Sequence, residues 1–375
     1  MKIAILTQPL RANYGGVLQN YAMQQVLIRF GHSPITLEKD PHQYISKFKL
    51  VCDIPKRVIT KYILKKRDHI FSENRHNKIV DGQPKTLLPF IKSYIRHRYV
   101  LNYDLINLSD FDAFLVGSDQ VWRPLYNWDV LDKMFLSFIP KESKTKRIAY
   151  AASFGTSEWE FNEEQTTLCK DLITYFDAVS TREIDGVDLC KKYLKRDDVF
   201  SVLDPTLLLN EEDYLTLCKD IPTNEEKLLF AYILDTDTET LSKLKDIANA
   251  NGLTLKLVSA HDNCTLSMEE WLAMFRDAKI VITDSFHGTV FSIIFNKEFY
   301  TIANQSRGRS RFASLLSQLS LMDRMFESVS DITIKENIYW SVISKKLSIL
   351  KKQSLSFFKT SLSKNAQSIY YSSRL

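Results

Sequence analysis

The sequence predicts an α/β protein built from two Rossmann-like, doubly wound domains that face a central cleft. Its 375 residues exceed the size at which a single hydrophobic core usually stops growing, so two domains are expected. Apolar, β-rich runs alternate with helical patterns along almost the whole chain, which is typical of parallel sheets covered by helices. The pattern restarts after the polar stretch 210–226, where we expect the second sheet to begin.

In the first half of the chain, the patterns predict one long helix over Val17–Phe30, closed by Gly31, together with four strands. The basic stretch from Tyr44 to Leu101 interrupts the alternation and is predicted to be a helical insert. The predicted strands are Lys2–Thr7, Ala113–Val116, Ile148–Ser153 and Ala178–Ser180.

The second half alternates more regularly. Ser267 and Glu270 form a capping box at the start of one predicted helix, and Asn251-Gly252 closes the helix before it. The predicted strands are Leu228–Leu234, Thr254–Ser259, Ile280–Thr283 and Phe299–Ile302. The predicted helices are Thr238–Ala250, Met268–Ala278 and one that begins at about Gly288.

These patterns divide the chain into three parts. Residues 1–204 form the N-terminal domain with its insert at about 44–101, and the boundary lies near Asp204-Pro205. Residues 205–335 form the C-terminal domain, and residues 336–375 form a basic, amphipathic helical tail. Since doubly wound sheets bind ligands at the carboxyl ends of their strands, functional residues are expected in the loops that follow each strand.

Composition excludes several classes of protein. The apolar stretch at the N-terminus is too short for a signal peptide, and no uncharged apolar run reaches the roughly 18 residues of a membrane span. The net charge of +5 is too small to predict a nucleic-acid partner. Five scattered cysteines without a CxxC pair favour a reducing cytoplasm and predict neither a disulfide framework nor a thiolate metal site: Cys52, Cys169, Cys190, Cys218 and Cys264.

Positive charge is nevertheless concentrated in two segments. Basic residues outnumber the four acids between residues 45 and 101, and residues 340–375 contain seven Lys or Arg and no acid. Such segments are either solvated basic faces or surfaces attracted to an anionic membrane or a polyanionic acceptor. The apolar residues of the tail fit an amphipathic helix on a membrane and a helix packed on the protein body equally well.

Asp284-Ser285-Phe286-His287-Gly288 is the sharpest candidate site. It follows a buried strand and opens a helix, whose N-terminal N–H groups and dipole favour an anion. His287 could exchange a proton with that anion. Alternatively, Asp284 or Ser285 is only an N-cap and His287 is a structural histidine.

Two further motifs follow strands of the first half. Asn13-Tyr14-Gly15-Gly16 opens a helix, and its glycines allow either a close approach of a phosphate or acceptor to the backbone or simply a loop. Asp119 lies at the exit of the strand that ends in Val116, where a carboxylate acts as a general base or as a helix cap.

Arginines occupy two other strand exits. Arg182 follows the strand that ends in Ser180 and suits an anionic donor, because a guanidinium binds a carboxylate or phosphate through two parallel hydrogen bonds; a salt bridge near Glu183 is the alternative. After Phe299–Ile302 come three more arginines, of which at most one or two should reach an anion: Arg307, Arg309 and Arg311.

Taken together, five motifs in this order make the chain similar to the polysaccharide pyruvyl transferase family. The resemblance runs from residue 3 to about residue 325, and the insert 44–101 and the tail after Arg324 lie outside it. The motifs are Asn13-Tyr14-Gly15-Gly16, Gly117-Ser118-Asp119-Gln120-Val121-Trp122, Ser180-Thr181-Arg182-Glu183, Asp204-Pro205-Thr206 and Asp284-Ser285-Phe286-His287-Gly288.

The resemblance implies a glycosyltransferase-B-like fold with the acceptor on the N-terminal side and the donor on the C-terminal side. It also implies transfer of a pyruvyl group from phosphoenolpyruvate to a sugar of a surface polysaccharide or a lipid-linked glycan precursor, which forms a ketal. Phosphoenolpyruvate is then a donor substrate, and no cofactor or metal is expected. A cytoplasmic location follows, with possible contact at the inner face of the membrane.

By position, Asp119, Arg182 and His287 match family residues associated with the donor. We expect His287 to act as the general acid, Asp119 as the base, and Arg182 to hold the donor anion together with Ser285 and Gly288.

One departure from the family pattern bears on the donor site. Many members carry arginine and leucine before the histidine, where this chain has Ser285 and Phe286. We expect Arg307, Arg309 or Arg311 to replace the missing charge, or the donor to differ. The competing functions are a nucleotide-sugar-dependent glycosyltransferase of the same architecture and a non-catalytic subunit of a glycan-assembly complex.

Overall fold

A computed structural model describes residues 1–11, 13–42, 44, 72–82, 85–224, 227–234, 236–259, 265–303, 308–335 and 337–363. Within these residues the chain folds into two α/β domains, each with one parallel sheet. The predicted fold class is therefore confirmed.

The N-terminal sheet has seven strands in the order β3-β2-β1-β4-β5-β6-β7, all paired in parallel. The strands are β1 Lys2–Leu6, β2 Ser33–Lys39, β3 His97–Val100, β4 Ala113–Gly117, β5 Lys146–Ala152, β6 Ala178–Thr181 and β7 Val199–Ser201. The helices are α1 Tyr14–Arg29, α2 Ser72–Asp81, α3 Leu88–Tyr94, α4 Pro124–Asn127, α5 Glu163–Leu172 and α6 Ile184–Leu189.

The C-terminal sheet has five parallel strands in the order β12-β11-β10-β8-β9. The strands are β8 Leu228–Ile233, β9 Thr254–Ser259, β10 Ala278–Thr283, β11 Glu298–Ile302 and β12 Met325–Phe326. The helices that follow β7 are α7 Glu211–Leu217, α8 Thr238–Ala250, α9 Met268–Asp277, α10 Phe286–Ile294, α11 Arg309–Leu319 and α12 Trp340–Leu362.

The strand order of each sheet places a ligand crevice. In the N-terminal sheet β1 lies between β2 and β4, and in the C-terminal sheet β8 lies between β9 and β10. The connections to the strands on the two sides of β1, and on the two sides of β8, therefore lie on opposite faces of each sheet. The loops diverge above the carboxyl ends of these strands. These two switch points are the positions at which the fold itself favours a binding site.

Several elements were not predicted. Strand β3, His97–Val100, lies inside the range 44–101 that was interpreted as a helical insert, so that interpretation needs correction for these four residues. They form an edge strand whose side chains are only partly buried, and such a strand lacks the apolar run of a central strand. Helices α2 and α3 lie in the same range, whereas residues 45–71 lie outside the described residues.

The tail forms helix α12, and its described residues pack on the protein body. The Phe358 side chain is completely buried, and its ring stacks on Tyr150 of β5 with the centroids 3.9 Å apart. The Ser354 hydroxyl accepts a hydrogen bond from the Leu203 backbone N–H at 3.0 Å. Residues 364–375 lie outside the described residues, and in the described part of the chain no helix has the length and apolarity of a membrane span.

The largest apolar cluster of the described residues extends through both domains. Tyr14 at the start of α1 stacks on Trp271 of α9 with the centroids 5.0 Å apart, and its hydroxyl donates a hydrogen bond to the Leu266 carbonyl at 2.7 Å. The N-terminus of α1 is thereby fixed against the C-terminal domain.

Candidate active site

Helix α10 begins where the sequence predicted, directly after the buried strand β10. Ser285 is its N-cap, and the Ser285 hydroxyl accepts a hydrogen bond from the Gly288 N–H at 3.3 Å. Gly288 lies against Thr283 so closely that a Cβ there would be 2.2 Å from the threonine hydroxyl oxygen. Ser285 and Gly288 therefore shape the turn that holds the buried His287 in the first turn of the helix.

The glycine loop at the start of α1 packs on this histidine. Asn13 is the N-cap of α1, and its side chain accepts a hydrogen bond from the Gly16 N–H at 3.0 Å. A Cβ on Gly15 would lie 2.1 Å from Nδ1 of His287, so only glycine fits at this contact. Two helix N-termini, one from each domain, consequently meet at the His287 side chain, and their dipoles both favour an anion.

Asp204 lies at the centre of the buried polar residues between the domains. Its side chain is fully buried, and Oδ2 accepts hydrogen bonds from the Ser118 hydroxyl at 3.0 Å and from Nη1 of Arg182 at 3.1 Å. Oδ1 accepts two more from the backbone and hydroxyl of Thr206 at 3.0 and 2.7 Å. Nε2 of His287 lies 3.6 Å from Oδ2, so both domains reach one carboxylate.

Arg182 connects three acidic side chains. Its Nε donates to Glu183 Oε1 at 2.9 Å, and its Nη2 lies 3.9 Å from Asp119 Oδ1. The guanidinium also lies over the Phe286 ring of α10, 4.4 Å from the centroid, in a cation–π contact between the domains. Nη2 has no hydrogen-bond partner among the described residues, and neither has Nε2 of His287.

The pKa values of this cluster are set by competition between burial and charge. Burial by itself raises the pKa of the Asp204 carboxyl, but His287, Arg182 and Thr206 outweigh burial and hold that pKa well below its usual range. Burial lowers the pKa of the Arg182 guanidinium, but Glu183, Asp204 and Asp119 outweigh it and hold the pKa above its ordinary value. The buried ion pair of Arg182 and Asp204 therefore stays charged.

Asp119 is held in an unusual backbone conformation. Its φ is +65°, in the left-handed region that residues with a Cβ rarely adopt. The Asp119 carbonyl accepts a hydrogen bond from the Ser153 N–H at 3.1 Å, and its Oδ1 accepts one from the Gln120 N–H at 3.0 Å. Strain of this kind is often found at functional sites.

The three arginines after β11 differ in position. Arg311 is half-buried, and its guanidinium lies 6.0 Å from the Phe286 ring centroid. Burial and the neighbouring charge of Arg182 lower the pKa of Arg311 to about 10. Arg309 instead pairs with Glu327 at 2.9 Å on the surface, away from the cluster, and Arg307 lies outside the described residues.

Asp284 lies at the switch point of the C-terminal sheet, in the loop after β10. Its Oδ1 accepts a hydrogen bond from the Leu234 N–H, which follows β8, at 2.6 Å. Burial raises the pKa of this carboxyl to about 6, although the Leu234 N–H acts in the opposite direction. Asp284 is therefore structural in its contacts and titratable near neutral pH.

The structure thus brings Gly15, Asp119, Arg182, His287 and Arg311 together and leaves Arg309 apart. Three residues of the cluster were not predicted as site residues: Ser118, Glu183 and Asp204. Each lies in one of the motifs that carry the family resemblance, and membership of such a motif was the sequence signal that could have identified it. Among the described residues, no group of three or more His, Cys, Asp or Glu side chains is arranged to hold a metal ion.

Comparison with known proteins gives one family. The family model described as "Polysaccharide pyruvyl transferase" matches residues 13–306, which contain the five motifs of the family resemblance. No curated protein matches the chain.

Solved structures of similar architecture share little sequence with it. A UDP-N-acetylglucosamine 2-epimerase from Neisseria meningitidis, bound to UDP-GlcNAc, has 10% identity and a TM-score of 0.45, and the alignment covers 98% of this chain and 95% of that one. The UDP-N-acetylglucosamine 2-epimerase from Rickettsia bellii has 9% identity and a TM-score of 0.43, and the alignment covers 96% of each chain. An E. coli heptosyltransferase with ADP has 12% identity and a TM-score of 0.38, and the alignment covers 93% of this chain and 100% of that one.

Proposed function

Since this chain belongs to the polysaccharide pyruvyl transferase family, we propose that it transfers a pyruvyl group from phosphoenolpyruvate to a sugar of a surface polysaccharide or lipid-linked glycan precursor. The two products are a cyclic ketal and phosphate. The observation that carries this proposal is the meeting of His287 and Arg182, from different domains, at one carboxylate, Asp204.

The donor needs groups that balance a carboxylate and a phosphate. The N-termini of α1 and α10 supply N–H groups and favourable dipoles, and Nη2 of Arg182 is a buried donor without a hydrogen-bond partner among the described residues. Arg311 adds a second guanidinium, 6.0 Å from the centroid of the Phe286 ring. In this proposal Arg311 supplies the charge that many family members carry immediately before the histidine.

His287 is the general acid of this proposal. Ketal formation requires a proton at the methylene carbon of the donor, and Nε2 of His287 is a buried ring nitrogen, 3.6 Å from Asp204, without a hydrogen-bond partner among the described residues. The close contact with Gly15 fixes the ring in one position. A fixed orientation matters because proton transfer requires the donor atom within hydrogen-bond distance of its target.

Asp119 is the base. Two sugar hydroxyls form bonds to the central carbon of the donor, the bond from that carbon to the phosphate oxygen breaks, and phosphate leaves. Of the two protons that the hydroxyls lose, Asp119 accepts the first and the second leaves with the phosphate. After turnover Asp119 releases its proton and His287 takes one up, which balances the proton that His287 gave to the methylene carbon. The balance gives one ketal and one phosphate for each phosphoenolpyruvate and needs no cofactor or metal.

The proposed location of the protein is the cytoplasm, with an acceptor at the inner face of the membrane. Helix α12 contributes an outward face with Val342 and Ile349 exposed beside the exposed Lys345 and Lys352. Clustered basic residues near anionic lipid contribute about 1 kcal/mol each. Contact with an anionic membrane is part of this proposal, and no nucleic-acid partner is.

Thermal unfolding tests the donor before the acceptor is known. A ligand that binds only the folded state raises the melting temperature, so phosphoenolpyruvate should raise it while uridine and guanosine diphosphosugars should not. A shift with a nucleotide sugar and none with phosphoenolpyruvate would favour the glycosyltransferase alternative. Phosphate release with any glycan acceptor would exclude the non-catalytic alternative.

The role of His287 is tested by the substitution His287→Gln. We expect phosphate release to fall by at least two orders of magnitude, because the glutamine amide cannot donate a proton to carbon. The free energy of unfolding should change little, and His97→Gln on the half-buried edge strand β3 is the matched control. Substantial activity in the His287 variant would remove this assignment.

A further inference from the structure

A cavity of about 660 Å³ lies in the N-terminal domain, at the carboxyl ends of β1, β2, β3 and β4. Its walls come from the loops after these strands and include Thr7, Gln8, Tyr103 and Asn127. The cavity therefore lies next to the switch point between β1 and β4, at the edge of the sheet where a doubly wound fold binds its ligand. Its volume is in the range of pockets that hold small molecules.

The cavity adjoins the charged cluster. The Thr7 hydroxyl donates a hydrogen bond to the Ser118 carbonyl at 3.3 Å, and the Ser118 side chain contacts Asp204. The Gln8 amide donates to the Gln120 carbonyl at 2.9 Å, next to Asp119. A molecule in the cavity is thus separated from the proposed base by one layer of side chains.

Glu38, near the end of β2, is the unexplained group in this cavity. It lines the cavity and is 5% exposed. One oxygen, Oε2, accepts a long hydrogen bond from the Leu10 N–H at 3.4 Å, and the other, Oε1, has no hydrogen-bond partner among the described residues. Because an unsatisfied buried carboxyl oxygen is costly, a donor from a ligand would stabilise it.

Glu38 also titrates in an unusual range. Burial raises the pKa of its carboxyl to about 7, although the Leu10 N–H and Arg11 act in the opposite direction. A neutral hydroxyl that donates a hydrogen bond therefore suits this carboxyl best above pH 7, where Glu38 is ionised.

The rest of the wall indicates the class of ligand. Asp129 pairs with Lys39 at 3.2 Å and Asp40 with His42 at 3.1 Å, so these charges compensate each other within the wall. Tyr126 lines the same cavity, and about half of its side chain is exposed. A flat apolar ring beside hydrogen-bond acceptors matches a molecule with one apolar face and several hydroxyl groups.

We propose that this cavity binds a neutral hexopyranose ring of the glycan and that Glu38 accepts a hydrogen bond from one of its hydroxyl groups. The inference rests on the proposed function only in assigning this ring to the acceptor. Binding of the ring itself does not require that phosphoenolpyruvate be the donor.

The experiment uses the full chain and a panel of methyl hexopyranosides observed by saturation-transfer NMR. We expect at least one glycoside to bind the unmodified protein, and Glu38→Gln to weaken that binding at least tenfold, since a hydrogen bond to a charged group contributes about 1.5–3 kcal/mol. Glu164→Gln, on the exposed face of α5, is the control and should bind as the unmodified protein does. Binding by none of the glycosides, or equal binding by the Glu38 variant, would overturn the inference.

Tyr126→Ala provides a second variant whose folding is not at risk, because the side chain is largely exposed. It should weaken the same glycoside, and unchanged binding would count against the cavity. The two proposals fail separately. Glycoside binding without any phosphoenolpyruvate binding would remove the proposed donor and leave the cavity assigned. Turnover that does not depend on Glu38 would remove the assignment of the cavity and leave the proposed donor.

Discussion

Gly15→Ala is the most direct test of the contact between the two helix N-termini. The added methyl group would lie 2.1 Å from Nδ1 of His287, whereas ordinary contact begins at 3.4 Å, so the atoms must separate by about 1.3 Å. Misplacing a catalytic group by about 1 Å can cost on the order of 100-fold in rate. Overpacking of this kind also costs about 1–3 kcal/mol of stability.

Gly16→Ala is the matched control for this substitution. Both glycines lie in the first turn of α1, so the gain in helix propensity is the same for both. A Cβ on Gly16 would lie 3.0 Å from the side-chain amide of Asn13, which can move aside. We therefore expect Gly16→Ala to retain most of the activity and stability.

Two measurements decide the outcome for the Gly15 substitution. Phosphate release gives the change in turnover, and denaturant unfolding followed by tryptophan fluorescence gives the change in the free energy of unfolding. Equal activity and equal stability in the two glycine variants would refute the contact with His287. Loss of stability without loss of activity would keep the contact and remove its importance for catalysis.

Three further predictions concern charge. Asp204→Asn should lower the free energy of unfolding by about 1.5–3 kcal/mol in denaturant titrations, because it removes one of the two carboxylates to which the buried Arg182 donates hydrogen bonds; a loss below about 1 kcal/mol would contradict the ion pair. The pKa of Asp284 is raised to about 6, so this group stabilises the fold at low pH and loses that contribution as pH rises through 6. Relative to that of the unmodified protein, the free energy of unfolding of Asp284→Asn should therefore rise by about 2–3 kcal/mol between pH 4 and pH 8. Parallel curves of unfolding free energy against pH would contradict this. Anionic liposomes should retain the protein at low salt and release it at high salt, and retention that ignores salt would argue against contact with lipid headgroups.

The central parts of both sheets could be predicted from sequence for a physical reason. Strands β1 and β10 are buried on both faces, and such strands appear as continuous apolar runs bounded by polar loops. Edge strands β3 and β12 are short and only partly buried, so their residues do not form that pattern. Strand β2 also escaped prediction because polar residues at its end, including Glu38, face a cavity rather than solvent.

The candidate site was predictable wherever a motif follows a strand. Asp119, Arg182 and His287 lie in such loops, and their convergence follows from parallel strands that end at the same edge. Asp204 was recognised as a domain boundary and as part of a family motif but not as a site residue, because its contact with His287 depends on how the domains dock, and local periodicity does not encode docking.

The arginines after β11 show another limit of sequence patterns. Residues two positions apart on a helix point about 200° apart, so Arg311 faces the cluster while Arg309 faces the surface. Sequence alone could predict that few of these arginines face the cluster but not which one does.

Helix α12 has a mechanical consequence. The chain passes from the N-terminal to the C-terminal domain between β7 and β8, and α12 brings it back to the first domain, where Phe358 packs on Tyr150. Two bodies joined by a second crossing have fewer ways to move relative to each other than two bodies joined once. The second crossing therefore restricts how far the C-terminal domain, with His287, can separate from Asp204.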